Sequence, residues 1–277
     1  MPANLPPLPP PAGKACPDAL WVILAAALPL ALVRRGCSAA KSFLLLQACL
    51  WWLDQGVSVA LYELEEDREY WQHRALSLLA GDSRFADFKF LAQYPEAWRS
   101  AYETHAATID RFTSCLTVEP ERMPTHAEVL KWIADKAKKC DIVAIDPITA
   151  VEGTEKPWLA DLFFIMEAKR IMRESGKRLI LITHPKKARQ HGSAGLEDLA
   201  GGAAYGRFVQ TVLWVLTHYP PKELDVRFPT GFNGVEKCNR TIRLPKARNG
   251  MGTGWEFAFH MDPQTLRFVE YGMVAKD

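Results

Sequence analysis

Three apolar runs of strand length, each closed by a polar or acidic residue, constrain the fold of this 277-residue chain more than any other feature of its sequence. The runs occupy residues 57–62, 141–146 and 178–183 and are rich in Val, Ile, Leu and Ala. Continuous apolar runs of this length are typical of buried parallel strands, and helical patterns separate the three. The sequence therefore predicts an α/β fold with a mainly parallel, twisted sheet and helices on both faces.

Helical patterns of suitable length lie between and around these runs. Thr125 and Glu128 have the spacing of a capping box, and Val129, Ile133 and Ala137 then share one face of the helix that the box opens. Helices are also predicted over residues 42–53, 68–80 and 158–175, the last with Leu162, Ile165, Met166 and Ile171 on its core side and Gly176 as its C-cap.

The loop before the first apolar helix looks like a phosphate-binding loop whose glycines have been replaced. In the intact pattern a glycine-rich turn points backbone N–H groups at phosphates, a lysine reaches the same oxygens, and the next hydroxyl binds magnesium. Lys41 and Ser42 fill the last two positions, whereas Arg35 and Ala40 stand where the glycines belong. An ordinary helix N-terminus is the alternative. The candidate nucleotide-binding residues in this loop are Gly36, Cys37, Ser38, Ala39, Ala40, Lys41 and Ser42.

Acidic and polar residues close the three apolar runs. Glu65 and Glu66 follow the first run, Asp146 ends the second, and His184 follows the third. The carboxyl ends of parallel strands meet at one edge of a sheet, so these side chains are expected beside Lys41. A glutamate there can deprotonate an attacking water, and an aspartate can hold magnesium. A solvated charge run and a structural histidine are the alternatives for the glutamates and for His184.

Together these motifs resemble the RecA-like P-loop ATPases, and among them the RepA-type hexameric replicative helicases and their DnaB-like relatives. The resemblance extends from about residue 18 to the C-terminus. It implies that ATP and Mg²⁺ are bound by the phosphate loop and Asp146, with Ser42 and Asp146 as metal ligands. It also implies that Glu65 and Glu66 provide the catalytic base and that His184 senses the γ-phosphate.

A basic element near the C-terminus carries the resemblance further. Residues 246–250 read Lys-Ala-Arg-Asn-Gly, which is similar to the element with which DnaB-like subunits reach the nucleotide of a neighbour. The resemblance implies that Lys246 and Arg248 act in trans, stabilising charge on the transferring phosphoryl group of a homo-oligomeric, hexameric ring. A basic hairpin in solvent is the alternative.

A second basic segment follows His184. In RecA-like rings the corresponding segment lines the central channel, so the resemblance implies that Lys186, Lys187 and Arg189 contact the phosphates of single-stranded DNA. A basic surface loop is the alternative. The net charge of +2 and the pI near 8.2 provide no global basic field, so any contact with nucleic acid depends on such local clusters.

Composition sets the remaining expectations. Residues 18–277 are expected to form one ATPase domain after a proline-rich tail over residues 1–17, and short alternating strands near 241–244, 255–260 and 266–271 predict an antiparallel β extension. Six scattered cysteines indicate reduced thiols in the cytoplasm. The apolar stretch 19–33 is shorter than a membrane span and contains Pro29, so no stable membrane association is expected.

Two functions follow from these expectations. The first is an ATP-dependent DNA-handling motor of the replicative-helicase type, and the second is a regulatory or structural ring protein that binds ATP with little turnover. Glu65 and Glu66 favour the motor, whereas Arg35 and Ala40 favour the regulatory protein.

Overall fold

The computed structural model describes residues 30–35, 40–118, 122–152, 156–184, 196, 203–248 and 252–275. The strands within these ranges are β1 (Leu30–Arg35), β2 (Val59–Glu63), β3 (Leu116–Val118), β4 (Ile142–Asp146), β5 (Arg178–Ile182), β6 (Thr211–Arg227), β7 (Asn233–Ala247), β8 (Glu256–Met261) and β9 (Phe268–Val274). The helices are α1 (Lys41–Asp54), α2 (Arg68–Ala80), α3 (Phe88–Gln93), α4 (Pro95–Cys115), α5 (His126–Ala137), α6 (Pro157–Ser175) and α7 (Ala203–Phe208).

All the strands join one sheet in the order β3-β2-β4-β5-β1-β6-β7-β8-β9. The first six in that order run parallel, and β7, β8 and β9 continue the sheet with antiparallel pairings. The predicted fold class, a mainly parallel sheet with an antiparallel C-terminal extension, is confirmed.

Helices cover both faces of the parallel part because successive strand residues point to opposite sides. On one face, Leu61, Ala144 and Ile180 belong to a buried cluster that includes residues of α1, α2 and α4. On the other face, Val143 and Leu181 pack with residues of α5 and α6. The strands β2 and β4 are buried along their whole length, which explains their apolar sequences.

The helix predictions held at most positions. The capping box of Thr125 and Glu128 is present at the start of α5, and Gly176 caps α6 with a positive φ of 69°. Met166 was wrongly placed in the core, because its side chain is 49% exposed. The buried stripe of α6 instead passes through Phe164, Ile165, Ala168 and Met172, and Met166 lies off that stripe; Leu162 and Ile171 are partly buried.

The C-terminal strands form more than an added edge. The strands β6 and β7 extend well beyond the parallel sheet as a long hairpin, and the far end of β6 also pairs with β9, Val226 opposite Val274. The extension thus curls back on itself and encloses a small core of Val226, Cys238 and Ala258.

The proline-rich tail predicted over residues 1–17, and most of the apolar stretch 19–33, lie outside the described residues. Within the described part of the chain, no helix has the length and apolar character that crossing a bilayer requires. The four cysteines described, Cys49, Cys115, Cys140 and Cys238, are free thiols.

Candidate active site

Three predicted site residues and one that was not predicted, Glu63, meet at the carboxyl edge of four neighbouring parallel strands. Lys41 begins α1 after β1, Asp146 is the last residue of β4, and His184 follows β5 by two positions. Glu63, the last residue of β2, lies directly opposite Asp146 in the strand register. Ligands of open α/β sheets bind in the crevice beyond this edge.

Lys41 is anchored at this edge although it is a charged residue. Its side chain is buried, and its ammonium group donates a hydrogen bond of 2.8 Å to the carbonyl oxygen of Thr183. The same Nζ atom lies 3.4 Å from Nδ1 of His184. Lys41, the predicted phosphate ligand, is therefore in contact with His184, the predicted γ-phosphate sensor, although they follow different strands, β1 and β5.

Ala40 takes the backbone conformation that a glycine normally takes. It forms the N-cap of α1 with φ 60° and ψ 36°, which is the left-handed region, and its side chain provides no capping hydrogen bond. A side chain with a Cβ atom is disfavoured there by about 1–2 kcal/mol. The missing second glycine of the loop pattern thus leaves local backbone strain at the start of α1.

We expect Ala40→Gly to stabilise the protein by about 1 kcal/mol, because glycine adopts positive φ without the steric penalty. Relief of this strain should also tighten ATP binding. Urea unfolding and nucleotide titration measure the two effects. The control Ala107→Gly, on the exposed face of α4, should destabilise by about 1 kcal/mol. Destabilisation by Ala40→Gly would contradict the strain argument.

Asp146 and Ser42 form the candidate magnesium ligands. Asp146 is 3% exposed and accepts a hydrogen bond from Ser42, and its Oδ2 atom has no hydrogen-bond partner within the described residues. A buried carboxylate oxygen without a partner is costly unless a ligand completes it. Carboxylate and hydroxyl oxygens are the donors that Mg²⁺ prefers, so these two residues fit the ion.

Burial raises the pKa of Asp146 above the ordinary value of an aspartate, while the hydrogen bond from Ser42 and the charge of Lys41 act in the opposite direction. The pKa of Glu63 is raised as well, first by burial and then by the neighbouring Asp146 carboxylate. Two acidic side chains thus share a buried, poorly solvated position at the centre of the site.

Glu63 is the residue of this site that sequence reasoning missed. It is 2% exposed, and its Oε1 atom accepts hydrogen bonds from the backbone N–H groups of Glu65 at 2.8 Å and Glu66 at 3.0 Å. The available signal was its place in the sequence, as the first acid after an apolar run. The run of acids after it concealed that one of them is buried and the others are not.

Glu65 and Glu66 occupy different electrostatic environments. The Oε1 atom of Glu65 lies 3.7 Å from Nε2 of His184, and this interaction lowers the pKa of Glu65, against its partial burial. Partial burial raises the pKa of Glu66; Arg74 opposes the rise, and Glu65 adds to it. Neighbouring carboxyl groups whose pKa values are shifted apart are suited to different roles in one reaction.

Arg74 completes the surroundings of Glu66. Its guanidinium lies 3.4 Å from the ring centroid of Tyr70 and 4.6 Å from that of Phe43, at the start of α1. Burial lowers the pKa of Arg74 to about 10, with Glu66 and Glu63 acting in the opposite direction. A cation is therefore held beside the two acids by aromatic contacts from both α1 and α2.

Lys246 and Arg248 lie at the opposite, amino edge of the sheet, where the parallel strands begin. Lys246 is opposite Val212 near the start of β6, and the backbone N–H of Arg248 donates to the carbonyl of Gln210. Both side chains donate to the carbonyl of Arg207 at the end of α7, at 3.2 Å from Lys246 and 2.9 Å from Arg248. Since β6 runs parallel to β1, its start is roughly 16 Å of strand away from the edge that carries Lys41.

Lys246 is in a strongly cationic environment. Burial first, and then the nearby charges of Arg248 and Lys169, lower its pKa to about 8.

Seven of the predicted site residues lie outside the described residues. They are Gly36, Cys37, Ser38 and Ala39 of the phosphate loop, and Lys186, Lys187 and Arg189 of the basic segment.

The shared burial of Glu63 and Asp146 predicts a pH dependence of stability. Both pKa values are raised, that of Glu63 to about 8, so the folded protein retains a proton that the unfolded chain has released above its ordinary carboxyl pKa. Without metal and nucleotide, the free energy of unfolding should therefore fall as the pH rises from about 5 to 8. Denaturant titrations in a chelating buffer measure it. Glu63→Gln should flatten the dependence, and equal slopes in the two proteins would contradict it.

Comparison with known proteins agrees with this architecture. No protein-family model and no curated protein matches the sequence. Among solved structures, one described as an ATPase domain has a TM-score of 0.64 at 15% identity and covers 87% of this chain and 84% of its own. A DnaB-like replicative helicase has a TM-score of 0.64 at 16% identity and covers 87% of this chain but 57% of its own.

Two further structures extend the comparison. The RadB recombinase has a TM-score of 0.53 at 16% identity, with 85% of this chain and 88% of its own covered. A KaiC-like protein from Pyrococcus horikoshii has a TM-score of 0.54 at 15% identity, with 88% and 89% covered. These chains share the RecA-like fold, so the fold predicted from the motifs is confirmed: this chain has a RecA-like α/β fold.

Proposed function

We propose that this protein is an ATP-dependent, DNA-handling motor of the replicative-helicase type, which hydrolyses ATP at the interfaces between its subunits. The main supporting observation is that the predicted catalytic residues lie at two opposite edges of one sheet. Lys41, Asp146 and His184 meet at the carboxyl edge, whereas Arg248 lies at the opposite edge.

In this proposal the carboxyl edge binds the nucleotide. Lys41 contacts the β- and γ-phosphates, together with backbone N–H groups of the preceding loop. Ser42 and Asp146 hold Mg²⁺, which supplies charge neutralisation for the phosphates when it is bound. The buried, unpartnered Oδ2 atom of Asp146 supports this assignment.

Glu66 then acts as the general base. Its pKa is raised by burial, which makes it a stronger acceptor of a proton from water. Arg74 lies close enough to oppose part of this rise. Glu65 interacts instead with His184, which also contacts Lys41. These contacts support the proposal that His184 couples Lys41 to the segment that follows β5.

Arg248 and Lys246 serve a neighbouring subunit. An arginine side chain cannot span roughly 16 Å of strand to reach the nucleotide of its own subunit. Subunits joined head to tail bring the two edges together, and such heterologous contacts form a ring when the rotation from one subunit to the next closes. We propose a homo-oligomeric, hexameric ring in which Arg248 and Lys246 stabilise the charge on the transferring phosphoryl group.

The basic segment with Lys186, Lys187 and Arg189 is proposed to contact the phosphates of single-stranded DNA in such a ring. The similarity in fold to a DnaB-like replicative helicase and to a recombinase supports an action on DNA. Handling of DNA and free thiols are both consistent with the cytoplasmic location that we propose.

The experiment that tests the proposal measures ATP turnover with and without single-stranded DNA, with Lys41→Ala as the inactive control. Turnover that rises with DNA supports a motor. ATP binding without turnover would favour the regulatory ring protein, for which the strained backbone at Ala40 is the supporting observation.

A further inference from the structure

We propose that Glu63 is a positioning residue, which fixes the backbone of the Glu65–Glu66 turn through its carboxyl oxygen. The inference rests on the proposed function, since it is Glu66 in this turn that acts as the general base. Glu63 itself is almost wholly buried, and no step of the reaction is assigned to it.

The contacts that carry the proposal tie down three consecutive backbone amides. One oxygen of Glu63, Oε1, accepts from the N–H groups of both Glu65 and Glu66. The preceding N–H, of Leu64, donates to the carbonyl oxygen of Asp146 at 2.9 Å. The turn is therefore attached to the ends of β2 and β4, while the side chains of Glu65 and Glu66 stay exposed.

The far end of the turn is fixed as well. Asp67 caps α2 and accepts a hydrogen bond of 2.7 Å from the backbone N–H of Tyr70. Between this cap and β2, the carboxyl group of Glu63 is what holds the amides of Glu65 and Glu66. The direction in which Glu66 projects is consequently set by an acid three residues before it.

Burial makes an acid at this position costly to the stability of the fold, although the side chain of Trp71 also interacts with its carboxyl group. A buried acid beside a second acid is destabilising, and every other residue of β2 is apolar or aromatic. An apolar residue of similar size would bury well there. Glu63 accepts hydrogen bonds from the backbone amides of Glu65 and Glu66. Positioning of this turn therefore explains why an acceptor occupies the site.

The test compares two substitutions of similar size. Glu63→Gln keeps an oxygen acceptor at Oε1, whereas Glu63→Met removes it, with Glu63→Leu as a second apolar variant should methionine fold poorly. Amide hydrogen exchange of Glu65 and Glu66, followed by NMR, should accelerate at least about tenfold in the apolar variant and stay near wild type in the glutamine variant. Exchange at Val226 and Cys238, in the separate buried cluster of the C-terminal hairpin, serves as the internal reference.

Kinetics provides the second measurement. A displaced base affects the chemical step, so kcat for ATP should fall about 10- to 100-fold in the apolar variant while KM changes little. Glu63→Gln should keep kcat within a few-fold of the wild-type value. A merely structural role would lower the thermal stability of the apolar variant without this division between kcat and KM.

The outcomes separate this proposal from the proposed function. Unchanged exchange of both amides in a folded apolar variant would overturn the positioning role, as would equal losses of kcat in the glutamine and apolar variants. Absence of ATP turnover in the wild type would contradict the proposed function alone, and the exchange measurement would still decide the role of Glu63.

Discussion

Arg248→Ala subunits are expected to bind ATP with normal affinity and to hydrolyse it about 10³-fold more slowly. An arginine supplied from a neighbouring subunit acts on charge that develops in the transition state, so its loss affects turnover and leaves ground-state binding intact. The position of Arg248 at the amino edge of its own sheet supports this role, because its side chain cannot reach its own Lys41 site. Equilibrium binding of ATP and steady-state turnover measure the two quantities.

A matched control uses another basic residue of the same hairpin. Lys237 is exposed on β7 and lies opposite Glu223, far along the hairpin from Arg248. Lys237→Ala should therefore leave turnover unchanged. Arg248→Lys should recover only part of the activity, because lysine keeps the charge and loses the planar fork of donors. Full activity of Arg248→Ala would exclude the trans assignment.

Glu66→Gln is expected to reduce ATP turnover by about 10²-fold or more and to leave ATP binding intact. Removal of a general base has an effect of this size, and glutamine keeps the volume of the side chain. The raised pKa of Glu66 distinguishes it from Glu65, whose pKa is lowered by His184. Single-turnover kinetics separates the chemical step from product release.

Two comparisons sharpen this prediction. Glu65→Gln should have a smaller effect on the chemical step, because Glu65 interacts with His184 and is not the proposed base. Glu69→Gln, an exposed position in the first turn of α2, should be neutral. Equal turnover in the wild type and in a variant with both Glu65 and Glu66 replaced by glutamine would contradict the catalytic assignment.

Much of the fold follows from local sequence patterns. The helix predicted over residues 68–80 has these bounds in the structure, and the capping box of Thr125 and Glu128 starts α5 as expected. The meeting of Lys41 with His184 was predictable too, because parallel strands necessarily bring their carboxyl ends to one edge. Hydrophobic periodicity predicts each helix and strand, and the parallel direction of the strands predicts which of their ends meet.

Features that depend on distant contacts were not predictable. The place of Glu63 directly after an apolar run was a weak local signal, but its pairing opposite Asp146 of a neighbouring strand is not encoded in any local pattern. The return of β9 to β6 depends likewise on pairing of Val226 with Val274. Met166 has the polarity of a core residue, but it lies outside the buried stripe of α6 and is exposed. In each case a tertiary contact overrides the local signal.

Mixing two inactive variants shows whether a neighbouring subunit completes each ATP site. Lys41→Ala subunits lack the lysine proposed to bind the phosphates, and Arg248→Ala subunits lack the arginine proposed to act in trans. Mixed under conditions of subunit exchange, the two should recover part of the ATPase activity, because some interfaces then combine an intact Lys41 with an intact Arg248. A mixture that stays inactive while subunits demonstrably exchange, or a strictly monomeric protein with full activity, would contradict completion of the site by a neighbouring subunit.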